Sequence, residues 1–298
     1  MIKEDLLSKF KILDGGMGQE LLTRGLQPIS SLWSATALMD KQYHQIVKDC
    51  HTDFINAGAE IILTNTFTCR RKRLEENQVG NKFEELNKIA VKLANDSVKE
   101  SGKKVLVAGS LPPQNFTYQA DLGNKDEARK NFSDQAIILN EGVDLFYLDV
   151  LSSYEEIELA IDTIKNFNKP FIVGIHFKKN SLLPSGERVK DVIEKIKKFK
   201  PLAVTGSCVA YEDVISAIDD FKSCDLPFGF KVNAFKEIPA GWKPDASNPN
   251  IALGKNEDIT ILKFQEIINE FISHGAKLVG GCCEISPAHI NKIKDLKN

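Results

Sequence analysis

The chain has 298 residues, enough to bury a full core within a single domain. Its 39 Lys and Arg against 41 Asp and Glu leave a formal charge of −2, which excludes a general phosphate-binding surface made of clustered positive charge. No apolar stretch approaches the ~20 residues of a membrane-spanning helix, and the opening MIKEDLLSKF lacks the apolar centre of a secretion signal. The expectation is a cytoplasmic protein with no nucleic-acid or membrane partner. In that compartment Cys50, Cys69, Cys208, Cys224, Cys282 and Cys283 read as core residues, metal ligands or nucleophiles rather than disulfides. The short basic runs at 70–73 and 195–200 read as solvated faces.

Eight short apolar runs recur, each followed by a segment of helical period. FKILDG (10–15) precedes a helix over 40–57, AEIILTNTF (59–67) one over 81–101, and KVLVAGS (104–110) one over 126–141. VDLFYLDV (143–150) precedes 154–167, PFIVGIHF (170–177) precedes 187–199, and PLAVTGSC (201–208) precedes 211–223. PFGFKVNA (227–234) and AKLVGGCC (276–283) precede helices over 257–273 and 286–297, the last started by Ser286 and Pro287. Each run is almost continuously apolar, as a strand covered on both faces must be. Eight strand–helix units with right-handed crossovers close into an α/β fold, a single (β/α)8 TIM barrel over 1–298. The count, and the lack of a linker or composition break, disfavour an open doubly wound sheet.

The polar residue at or near each strand's C-terminal end is Asp14, Asn65, Ser110, Asp149, His176, Cys208, Asn233 and the Cys282–Cys283 pair. A barrel gathers those ends on one face, where active sites of this fold lie. Cys208, Cys282 and Cys283 can supply three thiolates, the soft donors that favour zinc, and a catalytic zinc keeps a fourth position open. Spacing alone leaves a zinc site, a strained disulfide and an inert buried pair all open. Strand neighbours point apart, which disfavours the disulfide, and Gly280 and Gly281 would let the backbone bend both sulfurs toward one ion. Cys50, Cys69 and Cys224 read as core or surface residues. His44, His51, His274 and His289 fall on helices without an H-E-x-x-H motif, so His176 is the histidine that points toward the mouth.

Several segments resemble the homocysteine S-methyltransferase family: DGGMGQELLTRG (14–25), SLWSATAL (31–38), INAGAEIILTNTF (55–67), VAGS (107–110), VDLFYLDV (143–150), GSC (206–208) and GAKLVGGCCEISPAHI (275–290). The similarity runs nearly end to end, and the last segment is its most specific part. The resemblance implies Zn2+ held by Cys208, Cys282 and Cys283. It implies Asp14 beside the substrate amino acid, and Asp149 on the ammonium of homocysteine. Gly15 and Gly16 would approach the substrate carboxylate through their amides, and Trp33 would face the donor. Asn65, Ser110 and Asn233 are the remaining substrate-binding candidates. The implied reaction moves a methyl group from a sulfonium donor, S-methylmethionine or S-adenosylmethionine, to homocysteine, giving methionine.

Four departures from the family pattern stand out. Asp149 replaces the usual glutamate, and Ser207 replaces the asparagine before the sixth-strand cysteine. Val232-Asn233-Ala234-Phe235 replaces Pro-Asn-(Ser/Ala)-Gly, and LPPQNFTYQADL (111–122) replaces a Gly-Pro loop. They leave the cysteines intact and bear on the pocket, so the alternatives are another thiol or selenol acceptor, or a zinc-binding barrel without catalysis. The chain stops after the eighth helix, which leaves no room for cobalamin or folate domains, and the extension of betaine-using relatives is absent; a sulfonium donor is the expectation. The long segments around Trp33 and from Glu237 to Glu257 around Trp242 read as rim lids, with indole faces that attract a sulfonium cation. An oligomer is left open.

Overall fold

The computed structural model describes residues 9–239, 241–242 and 253–297. Its strands are β1 (Lys11–Ile12), β2 (Ile61–Leu63), β3 (Leu106–Leu111), β4 (Leu145–Leu151), β5 (Phe171–Ile175), β6 (Ala203–Val209), β7 (Phe228–Val232) and β8 (Leu278–Gly281). All pairings are parallel, in the order β1-β8-β7-β6-β5-β4-β3-β2. A parallel bridge between Leu13 and Ile61 joins β1 to β2 and closes the barrel. The outer ring is α1 (His44–Ala57), α2 (Phe83–Ser101), α3 (Lys125–Asn140), α4 (Tyr154–Ile164), α5 (Val189–Ile196), α6 (Tyr211–Ser223), α7 (Ile261–Ser273) and α8 (Pro287–Lys294). Every expected strand–helix unit is present. Each strand starts later than its apolar run, and β3, β4 and β6 extend one residue past the run's C-terminal end.

Strand alternation sorts the core into two layers. Leu145 and Tyr147 of β4 pack inside the barrel with Leu13, Ile61, Ala203 and Leu278. Phe146 and Leu148 of the same strand join the larger cluster beneath the helices. Two interruptions of this alternation matter for the rim. The β4–β5 register shifts between Leu148 and Leu151, and the β6–β7 register shifts between Ser207 and Val209. Val150 (φ 66°) and Cys208 (φ 54°) adopt left-handed backbone there. Such conformations cost about 1–3 kcal/mol each, and bulges of this kind re-aim side chains beside active sites.

Polar side chains start several helices. Asn124 accepts the Glu127 amide at 3.0 Å, Ser153 the Glu156 amide at 3.1 Å, and Thr260 the Lys263 amide at 3.2 Å. At the start of α8 the Ser286 amide donates to His289 Nδ1 at 3.2 Å. Cys50, Cys69 and Cys224 are buried in the core, and all six cysteines are free thiols. Among the described residues no helix is long and apolar enough to cross a membrane. Of the loop expected from Glu237 to Glu257, residues 240 and 243–252 lie outside the described residues.

Glu156 sets up a pH test of this packing. Its Oε2 accepts the Ser152 amide at 2.9 Å, and burial pushes its carboxyl up to about 8, against the smaller opposing pulls of that amide and Arg70. The folded state therefore holds a proton that the unfolded chain releases near its ordinary value of 4.5. That contribution is complete below 4.5 and is lost as pH rises through about 8. Wild-type stability should fall over this window by up to about 1.4 kcal/mol per pH unit, and Glu156→Gln should remove that slope. Urea melts at pH 5, 6.5 and 8 measure it, and equal slopes in both proteins would assign the titration elsewhere.

Candidate active site

Three sulfurs meet at the C-terminal mouth of the barrel. Cys208 is carried by the β6 bulge, and Cys282 and Cys283 follow directly on β8. Cys208 Sγ lies 3.8 Å from Cys283 Sγ, and Cys282 Sγ lies 3.9 Å from Cys283 Sγ, all three falling within 4.8 Å of one another. The pair is past the end of the strand, so strand alternation does not separate the two side chains. Burial pushes the Cys208 thiol up, but hydrogen bonds from Cys282, Cys283 and the Tyr118 hydroxyl outweigh it and hold this thiol well below its ordinary range. A tetrahedral ion with zinc–sulfur bonds of ~2.3 Å needs sulfurs about 3.8 Å apart. The residues fit the metal.

Around the sulfurs is a pocket of about 120 Å3 whose lining includes Asp14, Gly15, Gly16, Trp33, Asn65, Ser110 and Asp149. Asp14 is anchored through Oδ2, which accepts the Leu63 amide at 2.8 Å, while its buried Oδ1 has no partner among the described residues. Burial pushes its carboxyl up to about 7, with Lys231 opposing the shift. Asp149 differs, because both of its oxygens already have donors. Ser207 Oγ donates to Oδ1 at 2.5 Å, and Ser110 Oγ at 3.3 Å and Lys231 Nζ at 3.5 Å approach Oδ2. The carboxylate oxygen left without a donor on this wall is therefore Asp14 Oδ1.

The glycines serve packing as much as approach. A Cβ on Gly15 would lie 2.2 Å from the Ile285 carbonyl oxygen, and one on Gly16 would lie 2.7 Å from that of Cys282. The Gly16 amide donates to the Ile285 carbonyl at 2.8 Å and is not available to a substrate carboxylate. Asn65 Nδ2 donates to the Ser34 carbonyl at 3.1 Å and so positions the segment carrying Trp33. Asn233 stands apart from this pocket. Its Nδ2 donates to the Cys208 carbonyl at 2.8 Å and lies 3.8 Å from Cys208 Sγ, bracing the bulge from behind. His176 is likewise outside, packed against the Tyr118 ring at 4.7 Å between centroids.

A family model described as homocysteine S-methyltransferase matches residues 11–296. The chain belongs to the homocysteine S-methyltransferase family. Homocysteine S-methyltransferase 2 of Saccharomyces cerevisiae is 24% identical, with 96% of this chain and 93% of that protein aligned. Homocysteine S-methyltransferase of Escherichia coli is 23% identical, covering 98% and 95%. The crystal structure of the homocysteine methyltransferase MmuM from Escherichia coli, metallated form, superimposes with a TM-score of 0.80 at 21% identity, over 97% of this chain and 96% of that one. That likeness shows the (β/α)8 barrel fold.

Within this methyltransferase family the chain's departures meet one another in space. Ser207 donates to Asp149, and Lys231, the residue before the altered Val232, pairs with the same carboxylate. From the unusual 111–122 loop, Tyr118 brings its hydroxyl to 3.2 Å from Cys208 Sγ and its ring to 5.8 Å from that of Trp242. Sequence reasoning passed over both Tyr118 and Lys231. For Lys231 a signal existed: Phe228, Phe230 and Val232 pack outward beneath the helices, so alternation turns the lysine between them into the barrel.

Proposed function

We propose that this family member transfers a methyl group from a sulfonium donor, S-methylmethionine or S-adenosylmethionine, to the thiol of homocysteine, giving methionine. The convergence of three thiols on one pocket, beside a buried carboxylate oxygen with no partner among the described residues, carries this reading. Zn2+ held by Cys208, Cys282 and Cys283 would favour the thiolate form of the acceptor at neutral pH. Asp14 Oδ1 takes the acceptor's ammonium, and Trp33, Phe67, Phe235 and Trp242 give the pocket an aromatic wall. An aromatic face attracts a cation by roughly 0.5–2 kcal/mol, and the wall keeps water from the transfer. The acceptor sulfur forms its bond to the methyl carbon as the donor's carbon–sulfur bond breaks, and a neutral thioether leaves. Holding both reactants in line contributes roughly 7–11 kcal/mol.

Zinc-loaded protein mixed with homocysteine and each donor in turn tests the proposal. Methionine is expected with a sulfonium and not with betaine, and chelation should abolish it. Transfer to a different thiol would reassign the acceptor. Tight zinc binding without transfer to any thiol would make the protein a non-catalytic zinc barrel.

A further inference from the structure

We propose that Lys231 is a specificity-determining residue that recognises the carboxylate of the acceptor, its Nζ pairing with that group while Asp14 takes the ammonium. The inference rests on the reading of the acceptor as an amino-acid thiol. Lys231 is 3% exposed, points inward from the last-but-one position of β7, and lines the same pocket as Asp14 and Cys282. A buried ammonium is costly unless it is well paired. Among the described residues its hydrogen-bond partner is Asp149 alone, at a long 3.5 Å, with the Tyr147 ring centroid 4.8 Å from Nζ. An ammonium carries three donors, so the pairing is incomplete in the protein by itself.

The neighbours show what would complete it. Two carboxylates, Asp14 and Asp149, flank the pocket, and a substrate carboxylate set among them without a cation would be repelled. The Gly16 amide, an alternative anion donor, is already donated to Ile285. Ser207 and Ser110 hold Asp149 in place, so the Asp149–Lys231 pair forms a fixed platform rather than a receptor for a second cation. Burial works against the lysine's charge, but Asp149 and the other anionic groups around it outweigh this and keep it protonated well above its ordinary range. The group facing the pocket is therefore a cation.

Calorimetric binding to the zinc-loaded protein decides the matter with three ligands: homocysteine, 3-aminopropane-1-thiol, which lacks the carboxylate, and 4-mercaptobutanoate, which lacks the ammonium. Loss of the carboxylate should weaken binding to the wild type about 10- to 100-fold. In Lys231→Met that ratio should collapse to within about threefold, with zinc content unchanged. The proposal is overturned if the wild type binds 3-aminopropane-1-thiol as tightly as homocysteine, a result that needs no variant to fold. It is also overturned if Lys231→Met keeps the wild-type ratio. Should 4-mercaptobutanoate bind as tightly as homocysteine while the carboxylate effect persists, the Lys231 contact stands and the amino-acid reading of the acceptor fails.

Discussion

Cys208→Ser should fold like the parent, lose zinc affinity by more than about 100-fold, and show no measurable methyl transfer. The side chain is 1% exposed and sits on a left-handed bulge residue, 3.8 Å from Cys283 Sγ and 3.2 Å from the Tyr118 hydroxyl. Serine has nearly the same shape, so packing around the bulge survives. Its hydroxyl stays protonated at neutral pH and is a hard oxygen donor where zinc favours soft thiolate. Competition with a chromophoric chelator measures the affinity, and thermal melts check the fold. A variant that held zinc as tightly as the parent would show that these sulfurs do not form the metal site.

Asp14→Asn should raise the acceptor KM about 10- to 100-fold, with zinc content unchanged and a smaller effect on kcat. The Leu63 amide fixes Oδ2, which leaves the buried Oδ1 as the open acceptor for the substrate's ammonium. Asparagine keeps the shape and removes the charge. The pH profile distinguishes this role from packing. Burial holds the free carboxyl near 7 against the opposing pull of Lys231, so the ammonium-binding carboxylate forms as pH rises through about 7. Wild-type acceptor affinity should increase across that range, and the variant should lack the inflection. An unchanged KM would remove Asp14 from the acceptor site, and an inflection that persisted would belong to another group.

Much of this architecture is legible without coordinates. Eight apolar runs separated by amphipathic segments dictate strands covered on both faces, and buried parallel strands of that number close into a barrel. Closure then brings Asp14, Cys208 and the Cys282–Cys283 pair to one rim, because the C-terminal ends of all parallel strands share a face. Residues more than 250 apart, such as Asp14 and Cys282, thereby line one pocket. The resemblance adds roles to these positions, but their meeting follows from topology.

The allocation of hydrogen bonds on that rim is a different matter. Asp149 looks like an open carboxylate at a strand end, yet Ser207 and Lys231 reach it from β6 and β7, strands that contribute nothing to its local sequence. Asn233 sits at a strand end as the pocket residues do, yet it turns to the Cys208 backbone because the β6 bulge brings that carbonyl within 2.8 Å. Tyr118 reaches the sulfur cluster from a loop with no periodicity to read. Apolar periodicity, set by local backbone geometry, determined from sequence alone which segments are strands and which end of each faces the chemistry. Which polar atom meets which depends on cross-strand register and on two bulges that shift it, and those exist only once the barrel has closed.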